Sequence, residues 1–223
     1  MSKSIALRFF KEVYSTYDTV VRIATFYQDD RWKSHIIRLV PASSTILDLA
    51  CGTGILTLLL KEKAPNIYGI DIVYKNLYVA MNKVKSSGEI MEFVNADAEN
   101  IPFKDDTFDV ITASYLSKYV DAYTLIRECR RVLKDNGTII LHDFTYPKGL
   151  IRYLWHLYFL ILRFAGIFVN EWRCIFNELD KVIVESRWVD DTIDALKSYG
   201  FKDIRCDYLT LGTSAVIYAR ASK

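Results

Sequence analysis

The segment that most constrains the fold is a short apolar run followed at once by two glycines. The apolar run covers residues 46–49, and Gly52 and Gly54 come directly after it. Residues 55–63 are apolar at helical spacing and rich in good helix formers. This order predicts a β-strand, a tight turn and a helix. Because glycine has no side chain, a ligand can approach the backbone of such a turn closely.

Two kinds of nucleotide-like ligand compete for a turn of this kind. In the dinucleotide fingerprint a third glycine follows and a pyrophosphate sits at the helix N-terminus, but the third position here is Thr57. Asp48, at the end of the strand, would repel a pyrophosphate and attract a cation. S-Adenosylmethionine carries an ammonium and a sulfonium group, so the turn favours this cofactor and disfavours an NAD-dependent oxidoreductase.

A second predicted strand, residues 67–71, supports the choice of a nucleoside ligand. It ends in Asp71, roughly 20 residues after the glycine turn, which is the placement of a carboxylate that binds ribose hydroxyls. Asp71 is therefore the expected ribose anchor. With Asp48 before the glycines and Asp71 after them, the pattern favours a nucleoside site over an ordinary surface carboxylate.

The composition indicates which kinds of binding partner and which cellular location to expect. Twenty-nine basic and 27 acidic residues give a formal net charge of +2, without the basic excess of a nucleic-acid-binding protein. A hydrophobic content of 51% predicts a large apolar pocket or a membrane-facing surface. The start of the chain is polar and has no signal peptide pattern, so we expect a cytoplasmic protein. The four cysteines are far apart in the sequence, which predicts free thiols and no metal site. They are Cys51, Cys129, Cys174 and Cys206.

Strands and helices alternate through the rest of the chain, which predicts an α/β fold with a parallel sheet. The 223 residues fit one domain. Before the first strand, we expect amphipathic helices over residues 4–14 and 29–40, the second with an Asp at its N-cap. After Asp71, we expect helices over 74–85, 121–137 and 189–199, and strands over 92–96, 108–114, 138–144, 201–207 and 211–219.

The motif from Asp48 to Gly54 resembles motif I of class I S-adenosylmethionine-dependent methyltransferases. The residues of this motif most resemble those of the ubiquinone/menaquinone biosynthesis C-methyltransferases, and the resemblance extends over nearly the whole chain. It implies a Rossmann-like fold with a seven-stranded, mostly parallel sheet, an antiparallel last strand and helices on both faces. It also implies a division into an N-terminal helical lid (1–41), a core (42–148), a helical insertion (149–188) and a C-terminal helix and strand pair (189–223), with S-adenosyl-L-methionine as the cofactor.

The same resemblance assigns the cofactor contacts. Residues 97–103 are similar to the family's acidic-Ala pair before a Pro-Phe turn, which implies that Asp97 and Ala98 contact adenine. A Tyr-Asp pair in the family's lid maps onto Tyr17 and Asp18, although Tyr17 also fits an ordinary amphipathic contact. The expected cofactor-binding residues are Asp48, Ala50, Gly52, Thr53, Gly54, Asp71, Ile72, Asp97, Ala98, Ser114 and Tyr17.

The expected catalytic residue is Lys118, at the position where the resembled family has an arginine. Methylation of a quinol carbon requires the loss of a proton, and a positioned base assists that loss. Lysine offers a point charge rather than a planar fork, so this departure leaves the acceptor open, and Lys118 also fits a solvated loop lysine. His142 and Asp143, at the end of the fifth strand, are secondary candidates. We interpret Trp32 as a residue that packs its helix against the fold, and the charged residues next to it as solvated.

Residues 149–169 are the most apolar part of the chain. Arg152, His156 and Arg163 interrupt the segment, so we expect a helical insertion rather than a membrane span. It could line a pocket for a small hydrophobic substrate, contact a membrane peripherally at its inner face, or form a homodimer interface, and the sequence leaves these open. Together with this apolar segment, the resemblance implies C-methylation of a prenylated quinol. The alternatives are O- or N-methylation of a small metabolite and a cofactor-binding subunit without turnover.

Overall fold

A seven-stranded sheet forms the centre of the molecule, and the computed structural model describes residues 3–222. The strands lie in the order β3-β2-β1-β4-β5-β7-β6, and every pair is parallel except those made by β7. The predicted mostly parallel sheet with an antiparallel last strand is confirmed. The strands are β1 Thr45–Leu49, β2 Asn66–Asp71, β3 Glu92–Asn95, β4 Phe108–Ser114, β5 Leu133–Phe144, β6 Lys202–Leu209 and β7 Ser214–Arg220.

Helices cover both faces of this sheet because the central strands are apolar on both sides. On one face, α6 and α9 pack against residues such as Leu47, Ile111 and Ile217. On the other face, α3 and α4 pack against residues such as Ile46 and Val110. The helices are α1 Lys3–Phe10, α2 Tyr17–Ala24, α3 Gln28–Leu39, α4 Ile55–Leu59, α5 Tyr74–Ser87, α6 Ala122–Val132, α7 Ile151–Ala165, α8 Arg173–Glu185 and α9 Trp188–Ser198.

Four helices from distant parts of the chain form a cap over the carboxyl ends of the strands, and we call α1, α2, α7 and α8 the helical cap. Phe9 and Val13 pack with Trp172 and Phe176, which ties the N-terminal segment to the insertion. Within residues 3–222, the helices are all too short or too polar to cross a bilayer. The cap therefore covers the edge of the sheet at which ligands of parallel α/β folds bind.

Three predicted helix ends are wrong. The first helix was expected to reach residue 14, but it ends at Phe10. An Asp was expected to cap α3, but the helix begins at Gln28 after Tyr27, no side chain caps it, and Asp29 is fully buried inside the first turn. The helix after Asp121 was expected to reach residue 137, but it ends at Val132. The segment beyond it enters β5 because tertiary hydrogen bonds hold it extended; the Gly137 carbonyl, for example, accepts from Ala221 N–H at 2.8 Å.

Candidate active site

The glycine turn after β1 has the close backbone geometry that its sequence indicates. Gly52 and Gly54 both adopt positive φ, at 55° and 81°. A Cβ on Gly52 would meet only the Ala50 carbonyl oxygen, at 3.9 Å, so the turn leaves open space there. A Cβ on Gly54 would lie 3.1 Å from the Cβ of Ala80, which shows that this glycine lets α5 pack closely. The first glycine makes room for a ligand, and the second allows helix packing.

Most of the predicted cofactor residues line a single cleft between the sheet edge and the helical cap. Asp48 lies below it and lines a smaller adjoining cavity, together with Lys33. Gly54 lines neither space. The structure thus brings the predicted residues of four strand ends together with one residue of the cap. The predicted residues at the cleft are Tyr17, Ala50, Gly52, Thr53, Asp71, Ile72, Asp97, Ala98 and Ser114.

Asp71 is fixed at the tip of β2 by the backbone on both sides of the cleft. Its Oδ2 accepts from Gly52 N–H at 2.9 Å, and its Oδ1 accepts from Val73 N–H at 2.7 Å. Burial raises the pKa of Asp71 to about 6. Each carboxylate oxygen has a second lone pair, so Asp71 can still accept from two vicinal hydroxyls.

Asp48 lies below the cleft as a buried carboxylate held by two threonines. Its Oδ2 accepts from Thr57 Oγ1 at 2.6 Å, and its Oδ1 accepts from Thr112 Oγ1 at 2.8 Å. Burial raises the pKa of Asp48 to about 6. Thr57 stands where a dinucleotide fingerprint has its third glycine, and its hydroxyl instead steadies the carboxylate. At neutral pH the floor of the site is therefore negatively charged and attracts a cation.

The helical cap is attached to the cleft at two places. At the rim, Lys3 of α1 donates to Asp97 at 2.5 Å, and the pKa of Lys3 is raised by its hydrogen bonds to Asp97 and Glu99. Over the glycine turn, Asp18 of α2 accepts from Thr53 Oγ1 at 2.5 Å and pairs with Lys83 of α5. These contacts hold the cap closed on the residues that were expected to bind the cofactor.

The charges beside Trp32 are not all solvated, contrary to the expectation. Lys33 is 3% exposed and pairs with the buried Asp29, whose Oδ1 also accepts from the Tyr115 hydroxyl at 2.7 Å. Lys33 lines the smaller cavity above Asp48, so it can hold a carboxylate there. The signal was present in the sequence, because Asp29, Trp32 and Lys33 share one face of a helix at i, i+3 and i+4.

A second, apolar cavity of about 320 Å³ lies beside the cleft, inside the helical cap. Its lining comes mainly from α2, α7 and α8, and includes Trp155, Phe159 and Phe176. Four aromatic residues line both the cleft and this cavity, and we call them the aromatic wall: Phe10, Tyr17, Tyr115 and Tyr119. A ligand in the cleft and a ligand in the apolar cavity would therefore meet at these rings.

Lys118 is buried in the apolar cavity wall rather than solvated in a loop. Its side chain pairs with Asp143, and the two side chains are 1% and 0% exposed. Burial lowers the pKa of Lys118 and raises the pKa of Asp143. The Lys118 Nζ also lies 4.5 Å from the ring centroid of Tyr119. The interpretation as a solvated lysine is wrong, because Asp143 makes burial of the charge tolerable.

His142 lies between two serines under the aromatic wall. Its Nδ1 is 2.7 Å from Ser114 Oγ, and its Nε2 is 2.8 Å from Ser214 Oγ. Burial lowers the pKa of His142 well below its ordinary value, so the ring is neutral. The cavity linings include neither His142 nor Asp143. These two secondary candidates can therefore act on a ligand only through Ser114 or Lys118.

The chemistry of the cleft fits S-adenosylmethionine. Asp71 and Asp97, at the tips of β2 and β3, can accept from ribose hydroxyls and from an adenine amino group. The cavity with Asp48 and Lys33 offers a carboxylate for the cationic part of the ligand and an ammonium for its carboxylate. Among the described residues, no cluster of His, Cys, Asp and Glu could hold a metal ion. The strand order and this donor set define a class I methyltransferase.

Comparison with known proteins gives the family. The model of the ubiE/COQ5 methyltransferase family matches residues 2–221, and the chain belongs to this family. It is an S-adenosylmethionine-dependent methyltransferase. The demethylmenaquinone methyltransferase of Thermotoga maritima is 31% identical over 90% of both chains. That of Thermus thermophilus is 31% identical over 93% of this chain and 97% of its own.

A solved structure supports the fold independently. The geranyl diphosphate C-methyltransferase of Streptomyces coelicolor, solved with S-adenosyl-L-homocysteine, is 12% identical and has a TM-score of 0.64. The match covers 86% of this chain and 75% of that one. This match confirms the expected fold, and the family match confirms the expected class of reaction.

The affinity for the cofactor should fall below about pH 6. Asp48 and Asp71 each have a pKa of about 6, so both lose their negative charge as the pH falls through this value. If the cation requires an ionised Asp48 and the ribose hydroxyls require an ionised Asp71, each protonation weakens cofactor binding about 10-fold at pH 5. Calorimetric titration of S-adenosylmethionine at pH 7.5 and pH 5 measures the change. An affinity independent of pH over this range would contradict the assignment of both carboxylates.

Proposed function

We propose that this chain transfers a methyl group to a ring carbon of a prenylated quinol. The observation that carries the proposal is the apolar cavity of about 320 Å³, which meets the cofactor cleft at the aromatic wall. An aromatic ring and the start of an isoprenoid tail suit such a lining. Two relatives of similar length are named demethylmenaquinone methyltransferases, which supports the same class of acceptor.

The residues of the aromatic wall align the acceptor and exclude water. When bound, S-adenosylmethionine supplies an electrophilic methyl group. The protein holds the acceptor ring against the wall so that one ring carbon faces the cleft. Tyr17 stacks on Trp172, with ring centroids 6.0 Å apart, and closes the site on the side of the cap. A dry, prealigned site is the main requirement of this reaction.

The pair of Lys118 and Asp143 can accept the proton of the acceptor hydroxyl. Lys118 Nζ passes one proton to Asp143, and the neutral amine then takes the proton of the hydroxyl. The products of this relay are an ammonium, a carboxylic acid and a phenolate, so charge and protons balance. The shifted pKa values of both groups favour the relay, because burial weakens both charged forms. The phenolate makes the adjacent ring carbon a better nucleophile. After this carbon gains the methyl group it loses its own proton, which restores the aromatic ring, and the ring oxygen regains the proton held by the pair of Lys118 and Asp143.

A labelling experiment tests the class of acceptor. The purified protein is incubated with methyl-labelled S-adenosylmethionine and, separately, with lipid and aqueous cell extracts. We expect label in the lipid extract, on a quinone-like species. Label only in the aqueous extract would assign the chain to the methyltransferases of small polar metabolites. Label in neither extract would remove the proposal.

We also propose that the outer face of α7 binds the surface of a lipid bilayer. Leu157, Leu160, Ile161 and Phe164 on this face are 54–65% exposed. The exposed Leu154, on the same helix, lines the apolar cavity, so the patch is continuous with the cavity. A prenylated acceptor resides in lipid, and an apolar helix face beside basic side chains such as Arg152 suits the interface. The acceptor could then reach the cavity without crossing water.

Charges on this face should abolish binding to vesicles. The variant with Leu157→Asp and Ile161→Asp changes two exposed residues that do not line the cavity. We expect at least about a 10-fold loss of affinity for vesicles of anionic lipid, because charged side chains enter the interface poorly. Sedimentation with vesicles measures this loss.

A matched control and a second measurement show whether a lipid bilayer or a second copy of the chain binds the outer face of α7. Tyr78→Asp introduces a charge at a residue of α5 that is 58% exposed, and this variant should bind vesicles like the wild type. Equal binding by all three proteins would contradict the membrane proposal. If the native protein instead sediments as a dimer that the double variant dissociates, the face joins two copies of the chain.

A further inference from the structure

Tyr119 carries a buried hydroxyl that has no hydrogen-bond partner. The residue is 2% exposed. Four buried side-chain atoms among residues 3–222 lack a partner, and they belong to Asp29, Ser117, Tyr119 and Asp180. Of these four residues, only Tyr119 lines the cleft or the apolar cavity. A buried polar group without a partner is unfavourable, so this hydroxyl is placed to meet a group that a ligand brings.

The ring of Tyr119 is held in a fixed place at the boundary between the two spaces. Tyr119 ends the short helical turn Ser117–Tyr119 that follows β4, and it belongs to the aromatic wall. Phe9 and Phe10 contact its ring edge-on, with centroids 6.3 Å and 5.8 Å away. The packing of a cap helix thus determines where this side chain lies, next to the place where the acceptor and the methyl donor meet.

The hydroxyl of Tyr119 is a hydrogen-bond donor at neutral pH. Burial and the nearby charge of Asp143 raise the pKa of Tyr119 well above its ordinary value. The ammonium of Lys118 lies over the ring and not at the hydroxyl. Two other tyrosine hydroxyls around the cavity already have partners, since Tyr115 donates to Asp29 and Tyr158 donates to the Ala24 carbonyl.

We propose that the Tyr119 hydroxyl donates a hydrogen bond to an oxygen on the ring of the acceptor. The inference rests on the proposed function and adds a specificity-determining residue to it. A ring oxygen held by Tyr119 orients the neighbouring carbon, and the bond strengthens as the oxygen gains negative charge. The cofactor is a weaker candidate, because Asp71, Asp97 and the cavity with Lys33 already match its polar groups.

A binding experiment tests this inference without turnover. The probes are 2-methyl-1,4-naphthoquinone and 2-methylnaphthalene, which have the same carbon skeleton, but only the first carries ring oxygens. They are titrated into the protein with S-adenosylhomocysteine bound. We expect Tyr119→Phe to weaken quinone binding about threefold to tenfold and to leave the hydrocarbon and S-adenosylhomocysteine affinities unchanged. Equal effects on both rings, no effect on either, or a loss of S-adenosylhomocysteine affinity alone would overturn the inference.

A stability measurement separates this role from a structural one. Without the acceptor, Tyr119→Phe removes a buried group that lacks a partner, so the melting temperature should rise by about 2–4 °C. The matched control is Tyr158→Phe, which removes a hydroxyl that has a partner and should lower the melting temperature. A fall in the Tyr119→Phe variant would show that the hydroxyl supports the fold, and this would overturn the inference.

Turnover gives the final comparison. If the wild type methylates a quinol, Tyr119→Phe should lower kcat/KM for it about 10-fold or more, since the lost hydrogen bond is strongest to a phenolate. If the wild type methylates no quinol, the proposed function fails, and the binding of the two probes still decides the role of Tyr119. The two failures are therefore distinguishable.

Discussion

Replacement of Lys118 by Met is expected to lower kcat for the quinol acceptor by about 10²–10⁴-fold, the range of a positioned acid–base group. The affinity for S-adenosylmethionine should change little, because Lys118 lines the apolar cavity and not the cofactor cleft. The variant should also lose about 3–5 kcal/mol of unfolding free energy, because it leaves the buried Asp143 without its partner. Steady-state kinetics, calorimetry and denaturant unfolding measure the three quantities.

A second variant separates the loss of activity from the loss of stability. Adding Asp143→Asn to Lys118→Met removes the unpaired buried charge, while the side-chain oxygen of Asn can still accept from Phe144 N–H. We expect the double variant to recover much of the unfolding free energy and none of the activity. Activity that returned along with stability would contradict a chemical role for Lys118 and would leave it a structural one.

Replacement of Asp71 by Ala is expected to cost on the order of 1–3 kcal/mol of affinity for S-adenosylmethionine. The carboxylate is the expected partner of the ribose, and it also accepts from Gly52 N–H and Val73 N–H. Its loss therefore removes a ligand contact and loosens the glycine turn at the same time. Calorimetric titration at pH 7.5 measures the change in affinity.

A matched control for this variant lies on the far edge of the sheet. Asp207→Ala removes a carboxylate from β6 that pairs with His35 and lines neither the cleft nor the cavities beside it. This control should bind the cofactor like the wild type. Unchanged affinity in Asp71→Ala would mean that β2 does not carry the ribose contact, whereas a similar loss in both variants would indicate a general effect of charge.

The convergence of the residues expected to bind the cofactor could be predicted from the sequence because the positions of these residues are set locally. The turn between β1 and α4 and the carboxylate at the end of β2 follow from short runs of neighbouring residues. Parallel strands then bring their carboxyl ends to one edge, so Asp48, Asp71, Asp97 and Ser114 converge without further information. The alternation of elements and the resemblance also predicted the mostly parallel sheet with its antiparallel last strand, but not the order of the strands.

Solvation was expected for Lys33 and was one of two interpretations of Lys118, but both side chains are buried beside a carboxylate. One partner is distant in the sequence, and the other lies one turn away in the same helix. Lys118 pairs with Asp143, 25 residues later, and no local pattern joins them. Lys33 pairs with Asp29 inside α3, and only the burial of that helix face turns two surface charges into a site. From neighbouring residues alone, a charged side chain is expected at the surface. Pairing with an opposite charge elsewhere in the fold can instead bury it.

The aromatic wall could not be predicted, although the sequence pointed to an apolar pocket and to Lys118, because residues from separate segments build it. The aromatic wall takes Phe10 from α1, Tyr17 from α2, and Tyr115 and Tyr119 from the segment after β4. The insertion then encloses the cavity from the opposite side. These segments are far apart in the sequence, so their packing against one another produces no periodic pattern in it. Only the structure shows that the hydroxyl of Tyr119 has no partner.

Identification of the methylated atom is the direct test of C-methylation of a prenylated quinol by this protein. The protein is supplied with ¹³C-methyl S-adenosylmethionine and a demethylated, prenylated naphthoquinol, and the product is analysed by NMR and mass spectrometry. We expect one added methyl group with the carbon shift of a methyl on a ring carbon, next to a ring oxygen. A methoxy signal, or recovery of the quinol without label by a protein that binds the cofactor, would contradict it.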